Sequence, residues 1–374
     1  MSISKIALRG GAESHPCSCR RCRLASYDPR EYEVSESDFQ RLNNPRPFGL
    51  SGHLRVKNEE GTLRACVHSI IDSLDELIIT YQSSSDKTES IVKELAAAYP
   101  QKIRAYFYAP YVPPHTYYVR DAALSNEYPQ TENIHNPANY YNYGYVKISY
   151  RYYMKVDADQ IYFPEKMADV RALLQKFQPC GSCGHVSFFT KVKRKLARWA
   201  MKMIPSVPWQ MAIARLVHLP VGLALGGVNL SMRRGELCMP VKKGAPMPFN
   251  GLVGDTVVWV PAGNEKYVWQ PDACCEIMRY RGHSICFGFS WLHLGPLKNN
   301  ENFDCFAQDE YVLLADLPKT SKEILIRKYK ILKILSGIYK KALKRFWQKD
   351  RLCITQSSID LCENAAQFFT RGTE

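Results

Sequence analysis

Tyr-Met-Lys-Val-Asp-Ala-Asp-Gln-Ile-Tyr, residues 153–162, is the stretch on which the reading of the fold turns. The apolar run Tyr152 to Val156 has the length and composition of a buried strand. It stops on two carboxylates, Asp157 and Asp159, separated by one alanine. A strand end is a rigid platform, and two acids there can face one ligand zone. Carboxylates are hard oxygen ligands suited to Mg²⁺ or Mn²⁺. A divalent cation bridging a diphosphate would neutralise charge on a departing nucleotide. Asp-x-Asp alone is a common chance match, and the plain alternative is a pair of solvated or capping acids in a loop.

Upstream, the pattern alternates between strand and helix. Residues 50–57 predict a strand and 58–71 a helix with Asn58 as N-cap. Residues 77–81 predict a second strand. The turn 83–88 feeds a helix over 88–98, and 103–108 predicts a third strand. Such alternation implies an α/β fold with a parallel, doubly wound sheet, whose ligands lie beyond the carboxyl ends of the strands. Residues 109–145, rich in Pro, Tyr and Asn, read as a long loop. Residues 161–177 read as a helix entered through Phe163-Pro164.

At 374 residues and 46% apolar, the chain can bury a large core. It has no 18-residue apolar run and no hydrophobic leader at residues 1–19, so the expectation is a cytoplasmic protein without a membrane span. Thirteen cysteines follow no regular framework, which suits reduced buried thiols. Two clusters, Cys17/Cys19/Cys22 and Cys180/Cys183 with His185, leave open either metal ligation or free thiols in turns.

The net charge of +14 is concentrated. Residues 321–351 hold eleven Lys/Arg against two acids, a net +9, with apolar residues at helical spacing. A second run, Lys191 to Lys202, has six cations and no acid. Basic amphipathic helices with aromatics suit an anionic membrane surface at the inner face of the membrane. The alternative is that the apolar stripes pack on the body and the cations are solvated. No nucleic-acid module is visible, and none is expected as a partner.

Arg55-Val-Lys-Asn-Glu-Glu60 after the first strand, then Leu63, Cys66, Ser69 and Ile70 on a helix, then Asp75-Glu-Leu-Ile-Ile79, Ser84-Ser-Asp-Lys-Thr88 and Val156-Asp-Ala-Asp159, together resemble the nucleotide-sugar-binding half of a GT-A glycosyltransferase, family-2-like, over roughly residues 48–175. The resemblance implies a GT-A type, Rossmann-like, mostly parallel sheet flanked by helices, and a nucleoside-diphosphate sugar donor, UDP favoured. It implies Asp159 as the direct metal ligand and Asp157 nearer the sugar or ribose, with Arg55, Asn58, Glu59, Gln82 and Asp86 around the donor. The family often carries an acid where this chain has Thr80-Tyr81-Gln82-Ser83; Gln82 could bond the base and Tyr81 stack on it. For Asp86 the plain alternative is capping the next helix.

Past residue 180 the resemblance thins. Gly226-Gly-Val-Asn-Leu-Ser231 resembles an acceptor-lining segment, which implicates Gly227 and Asn229. Phe249 to Thr256 resembles the loop that brings an acid onto a helix start, which implies Asp255 as base for an inverting transfer. His293 matches the late histidine that completes the metal shell in some of these enzymes, and Trp291 beside it is a candidate sugar platform. The expected layout is a polar extension (1–45), a donor half (46–180), an acceptor half (181–310) and a basic amphipathic helical tail (311–374). The expected activity is transfer of a sugar to a saccharide or lipid-linked saccharide in polysaccharide or glycolipid synthesis. A nucleotidyltransferase and an inactive saccharide-binding scaffold are the alternatives.

Overall fold

The computed structural model describes residues 22, 24–113, 133–181, 187–204, 206–233, 236–241, 253–270, 275–280, 282–298, 310–314 and 356–370. Thirteen strands are described: β1 (Leu50–Val56), β2 (Glu76–Tyr81), β3 (Ile103–Phe107), β4 (Tyr152–Asp157), β5 (Gln160–Tyr162), β6 (Val221–Asn229), β7 (Ser231–Arg233), β8 (Glu236–Val241), β9 (Val253–Trp259), β10 (Tyr267–Gln270), β11 (Cys275–Met278), β12 (His283–His293) and β13 (Glu310–Leu313). Eight form the central sheet, in the order β3-β2-β1-β4-β9-β6-β12-β5. The strands β3, β2, β1 and β4 run parallel, as do β6 and β12. β9 and β5 pair antiparallel to their neighbours. The expected α/β class with a mostly parallel sheet is what is observed.

The order reverses at β1, because β2 and β3 step away on one side while β4 enters on the other. That reversal opens a crevice beyond Val56 and Asp157, where ligands bind in such sheets. The sheet must also curl. Laid flat, the four strand steps from β4 to β5 would separate them by about 19 Å. Only Ala158 and Asp159 join the two strands, and the three residue steps from Asp157 to Gln160 reach about 10 Å.

Both faces of the sheet are covered, as period-two alternation shows. On β4, Tyr152, Met154 and Val156 enter one core with Leu63, Val67, Ile91 and Met167 from the helices Leu63–Ile70, Thr88–Ala98 and Pro164–Phe177. Tyr153 points the other way, into a core with Ile78, Tyr141, Tyr145, Trp259 and Tyr267. That second face carries a buried polar chain. His53 Nδ1 lies 3.1 Å from the Tyr153 hydroxyl, its Nε2 lies 3.2 Å from Thr80 Oγ1, and the Tyr153 and Tyr267 hydroxyls are 3.0 Å apart. Burial, helped by Arg55 and Lys155, holds the His53 pKa down to about 3, so its ring is neutral. Gly144 makes room for it: a Cβ there would come 2.0 Å from His53 Nε2.

Several expectations are corrected. The first helix begins at Leu63, not at residue 58; Asn58 sits in the left-handed region (φ 55°) as a turn residue and caps nothing. The span read as a loop over 109–145 ends in a helix, Pro137–Tyr145, whose N-cap Asn136 accepts from Ala138 N–H and whose Tyr140, Tyr141 and Tyr145 are buried. They serve the core and offer no sugar platform. Residues 160–162 are a strand, and the helix starts at Pro164. Asp255 lies within strand β9, not on a helix start. The basic segment 321–351 lies outside the described residues. Among the described residues no helix is long and apolar enough to cross a membrane.

Candidate functional site

Asp157 ends β4 directly opposite Arg55 of β1. Its carboxylate meets Lys155 Nζ at 3.1 Å and accepts from Gln160 Nε2 at 3.4 Å. Lys155 lies two residues back, hence on the same face of the strand. Beneath it the Cys66 thiol donates to the Asp157 carbonyl at 3.3 Å. Burial and the two aspartates push the Cys66 pKa up, which keeps that proton in place. The guanidinium of Arg55 lies 4.5 Å from the centre of the Tyr141 ring. Burial opposes its charge, but Tyr141, Glu276, Tyr140 and Asp157 outweigh this and raise its pKa.

Asp159 turns to a different partner. Its Oδ1 stands 3.4 Å from His293 Nε2, at the end of β12. The other ring nitrogen, Nδ1, is 2.7 Å from Asn229 Oδ1, at the end of β6. An amide oxygen only accepts, so Nδ1 donates its proton to Asn229 and the ring presents Nε2 to Asp159. Register places these groups: Asn229 pairs with His293 across β6 and β12, and His293 pairs with Gln160 across β12 and β5. The Leu294 N–H donates to the Asp159 carbonyl at 2.7 Å, which ties the turn to the strand end.

Two donors in this pair can hold a hard divalent cation. Neighbouring ligands each about 2.1 Å from such an ion stand about 3 Å apart, close to the observed spacing. Among the described residues no group of three His, Cys, Asp or Glu side chains is placed to hold an ion. The expected trio is therefore divided: Asp159 and His293 come together, while Asp157 is engaged by Lys155 and Gln160. A two-ligand site completed by phosphate oxygens and water is usual for Mg²⁺.

The remaining expected donor residues are built into the turns at the ends of β1 and β2. The Glu59 N–H donates to Thr88 Oγ1 at 2.7 Å, and Glu59 Oε2 accepts from Thr62 Oγ1. Asn58 Oδ1 accepts from Ser85 N–H at 2.9 Å. Asp86 accepts from Thr88 N–H at 2.9 Å and from Glu60 N–H at 3.1 Å. Burial alone would raise the Asp86 pKa, yet these hydrogen bonds lower it. Asp86 thus holds the first N–H of the helix Thr88–Ala98, beside its N-cap Lys87. Gln82 is 4% exposed, and its Nε2 donates to the Pro110 carbonyl at 2.6 Å, which corrects the expectation of a side chain presented to a base. Tyr81 packs on Phe107, ring centres 5.4 Å apart.

In the expected acceptor half, Trp291 is a correction: it is fully buried and cannot meet a sugar. Gly227 is what admits it, since a Cβ there would lie 1.9 Å from the indole. Asn229 supports His293 instead of lining an open surface. Asp255 sits where the β6–β9 register is irregular, between Leu225–Thr256 and Gly226–Val253. That is the carboxyl end of β6, the same end of the sheet as Asp157. Thr256 reaches the start of β5, its hydroxyl donating to Gln160 Oε1 at 3.3 Å.

Of the cysteine clusters, Cys17, Cys19, Cys183 and His185 lie outside the described residues. Cys22 is buried, 3.1 Å from His135 Nε2. Sequence reasoning missed Lys155 and Gly295, and it placed Cys66 on the helix without its bond to the Asp157 carbonyl. Lys155 was legible from period two. Gly295 follows His293 by two residues, and only the fold shows that a side chain there would crowd both His293 and Asp159.

Residues 32–186 match the model of the family described as beta-1,4-N-acetylgalactosaminyltransferase (CgtA). Over this span the match agrees with the glycosyltransferase resemblance read from the sequence. Among curated proteins none matches. Among solved structures, glucosyl-3-phosphoglycerate synthase from Mycobacterium tuberculosis, in complex with Mn²⁺, UDP and glucosyl-3-phosphoglycerate, is similar at 19% identity and TM-score 0.22, covering 38% of this chain and 43% of that one. TarS of S. aureus is similar at 11% identity and TM-score 0.33, covering 83% of this chain and 50% of that one. Its 1–349 fragment in complex with UDP gives 9% and 0.33, over 86% and 91%. The chain spans less than half the length of the synthase.

Proposed function

We propose that the chain is a metal-dependent glycosyltransferase that moves a sugar from a nucleoside diphosphate, UDP favoured, to a saccharide or lipid-linked saccharide. The observation that carries this reading is the Asp159–His293 pair, oriented by Asn229, at the carboxyl ends of β4 and β12. Asp159 and His293 would hold Mn²⁺ or Mg²⁺, which neutralises the diphosphate as it leaves. Asp157, with Arg55 and Lys155 beside it, contacts the donor's sugar or ribose. Gly227 lends the acceptor side only backbone. Asp255 takes the proton of the incoming hydroxyl as its oxygen bonds the anomeric carbon and the bond to the diphosphate breaks, with inversion.

The activity that describes the matched family makes an N-acetylhexosamine donor the first to try. Membrane association through 321–351 and synthesis of a surface glycan belong to the same proposal. Calorimetric titration of UDP with Mn²⁺, and again with EDTA, tests it. Binding that needs metal and is lost in Asp159→Ala supports the reading. UDP binding unchanged by EDTA and by the substitution would sink it.

A further inference from the structure

The helix Phe188–Met203 carries three lengthwise stripes, and they disagree with the usual arrangement of a surface helix. Arg194, Ala197 and Met201 recur at three and four residues and form the packed side. Arg194 donates to the His218 carbonyl, and the Gln210 amide donates to the Met201 carbonyl at 3.0 Å, fixing that side to the helix Val207–Leu216. Lys191, Lys195, Arg198 and Lys202 recur at four, three and four residues as a cationic row. The third stripe is apolar, Phe188, Val192, Leu196, Trp199 and Met203, with Phe189 beside it, and it points away from the body. Phe188, Phe189, Leu196, Trp199 and Met203 are 62–77% exposed.

A surface helix ordinarily turns its apolar stripe inward. Here the apolar stripe is outward, rimmed by cations with no acid on the helix. The neighbouring helix adds Trp209 at 66% and Leu216 at 81% exposure. We infer that Phe188–Met203 is an interfacial anchor that lies on an anionic lipid surface, its aromatic stripe in the headgroup–acyl boundary and its cationic row on lipid phosphates. Charge selects lipid over a second copy of the chain, because two such helices would bring the cationic rows together. The anchor shares no residue with the donor site or with the basic run 321–351.

Flotation of the full chain with phosphatidylcholine vesicles, with and without phosphatidylserine, tests this. The expected result is binding to the serine-containing vesicles, weakened by salt. Phe189→Ser with Trp199→Ser should reduce it at least tenfold, and Lys195→Gln with Arg198→Gln should cost about fivefold per cation on anionic vesicles only. All four side chains are exposed, so circular dichroism and thermal unfolding should match the parent. No flotation overturns the inference. So does flotation unchanged in both variants, which would move the contact to another segment, or a dimer in solution that the serine variant dissociates without any effect on vesicles.

Discussion

Asn229 and His293 end two parallel neighbouring strands and meet at 2.7 Å, amide oxygen to Nδ1. The contact fixes the ring so that the opposite nitrogen faces Asp159. Asn229→Ala should therefore weaken the apparent Mn²⁺ affinity by about 10–100-fold while the thermal midpoint moves little. Asn229→Asp, which still accepts from Nδ1, should recover part of it. Metal titration of donor turnover reads both; an Ala variant with the parent's metal dependence would show that Asn229 does not position the ring.

Gly295 offers a separate handle. A Cβ there would come 2.6 Å from His293 Nε2 and 2.9 Å from Asp159 Oδ2. Both are the far ends of side chains, so they can yield without disturbing the backbone, but only by parting. Gly295→Ala should keep the fold and lower turnover at limiting metal at least tenfold, with partial rescue at high Mn²⁺. Equal activity at every metal concentration would separate the pair from catalysis.

Gly227→Ala should do the reverse. Its Cβ would lie 1.9 Å from a fully buried indole, which cannot move aside. Overpacking of this kind costs about 1–3 kcal/mol or more. Denaturant unfolding measures it, and a loss below about 0.5 kcal/mol would mean the strand pair β6–β12 is softer than its packing implies.

His53 predicts a pH dependence. Its pKa lies near 3 in the folded chain against 6.5 unfolded, so the unfolded state binds the proton first. The contribution is whole above about pH 6.5 and is lost as pH falls toward 3, at up to about 1.4 kcal/mol per pH unit. Unfolding free energy measured from pH 7 to 4 should fall, and His53→Gln should flatten the slope across that window. An unchanged slope in the variant would assign the acid sensitivity to other groups.

Residues 48–162 were legible because their signals are local. β1, β2, β3 and β4 are apolar runs closed by polar turns, and the Asp pair stands where β4 stops. What was misread depends on pairing between distant residues. Asn229 and His293 are 64 residues apart, and nothing in either segment announces their contact. Trp291 looked available because a lone aromatic in an alternating strand carries no label for the buried face; Gly227, its complement, is on another strand. Asp255 before Val257-Val-Trp-Val fits a helix cap or a strand start equally well, and the ladder with β6 decides for the strand. Gln82 and Asp86 are polar residues in a donor-like turn, yet the turn itself uses their hydrogen-bonding capacity.

The two-residue link between β4 and β5 has one more consequence. It is a chord drawn taut across a bowed sheet, and the chord carries Asp159. Chemistry and curvature are thus written into the same peptide. An insertion there would not merely displace a ligand; it would slacken the bow, and β12, which brings the histidine, hangs from the far end of it. The side chains that decorate the crevice can change without moving the sheet, but the length of that chord cannot change without rebuilding it.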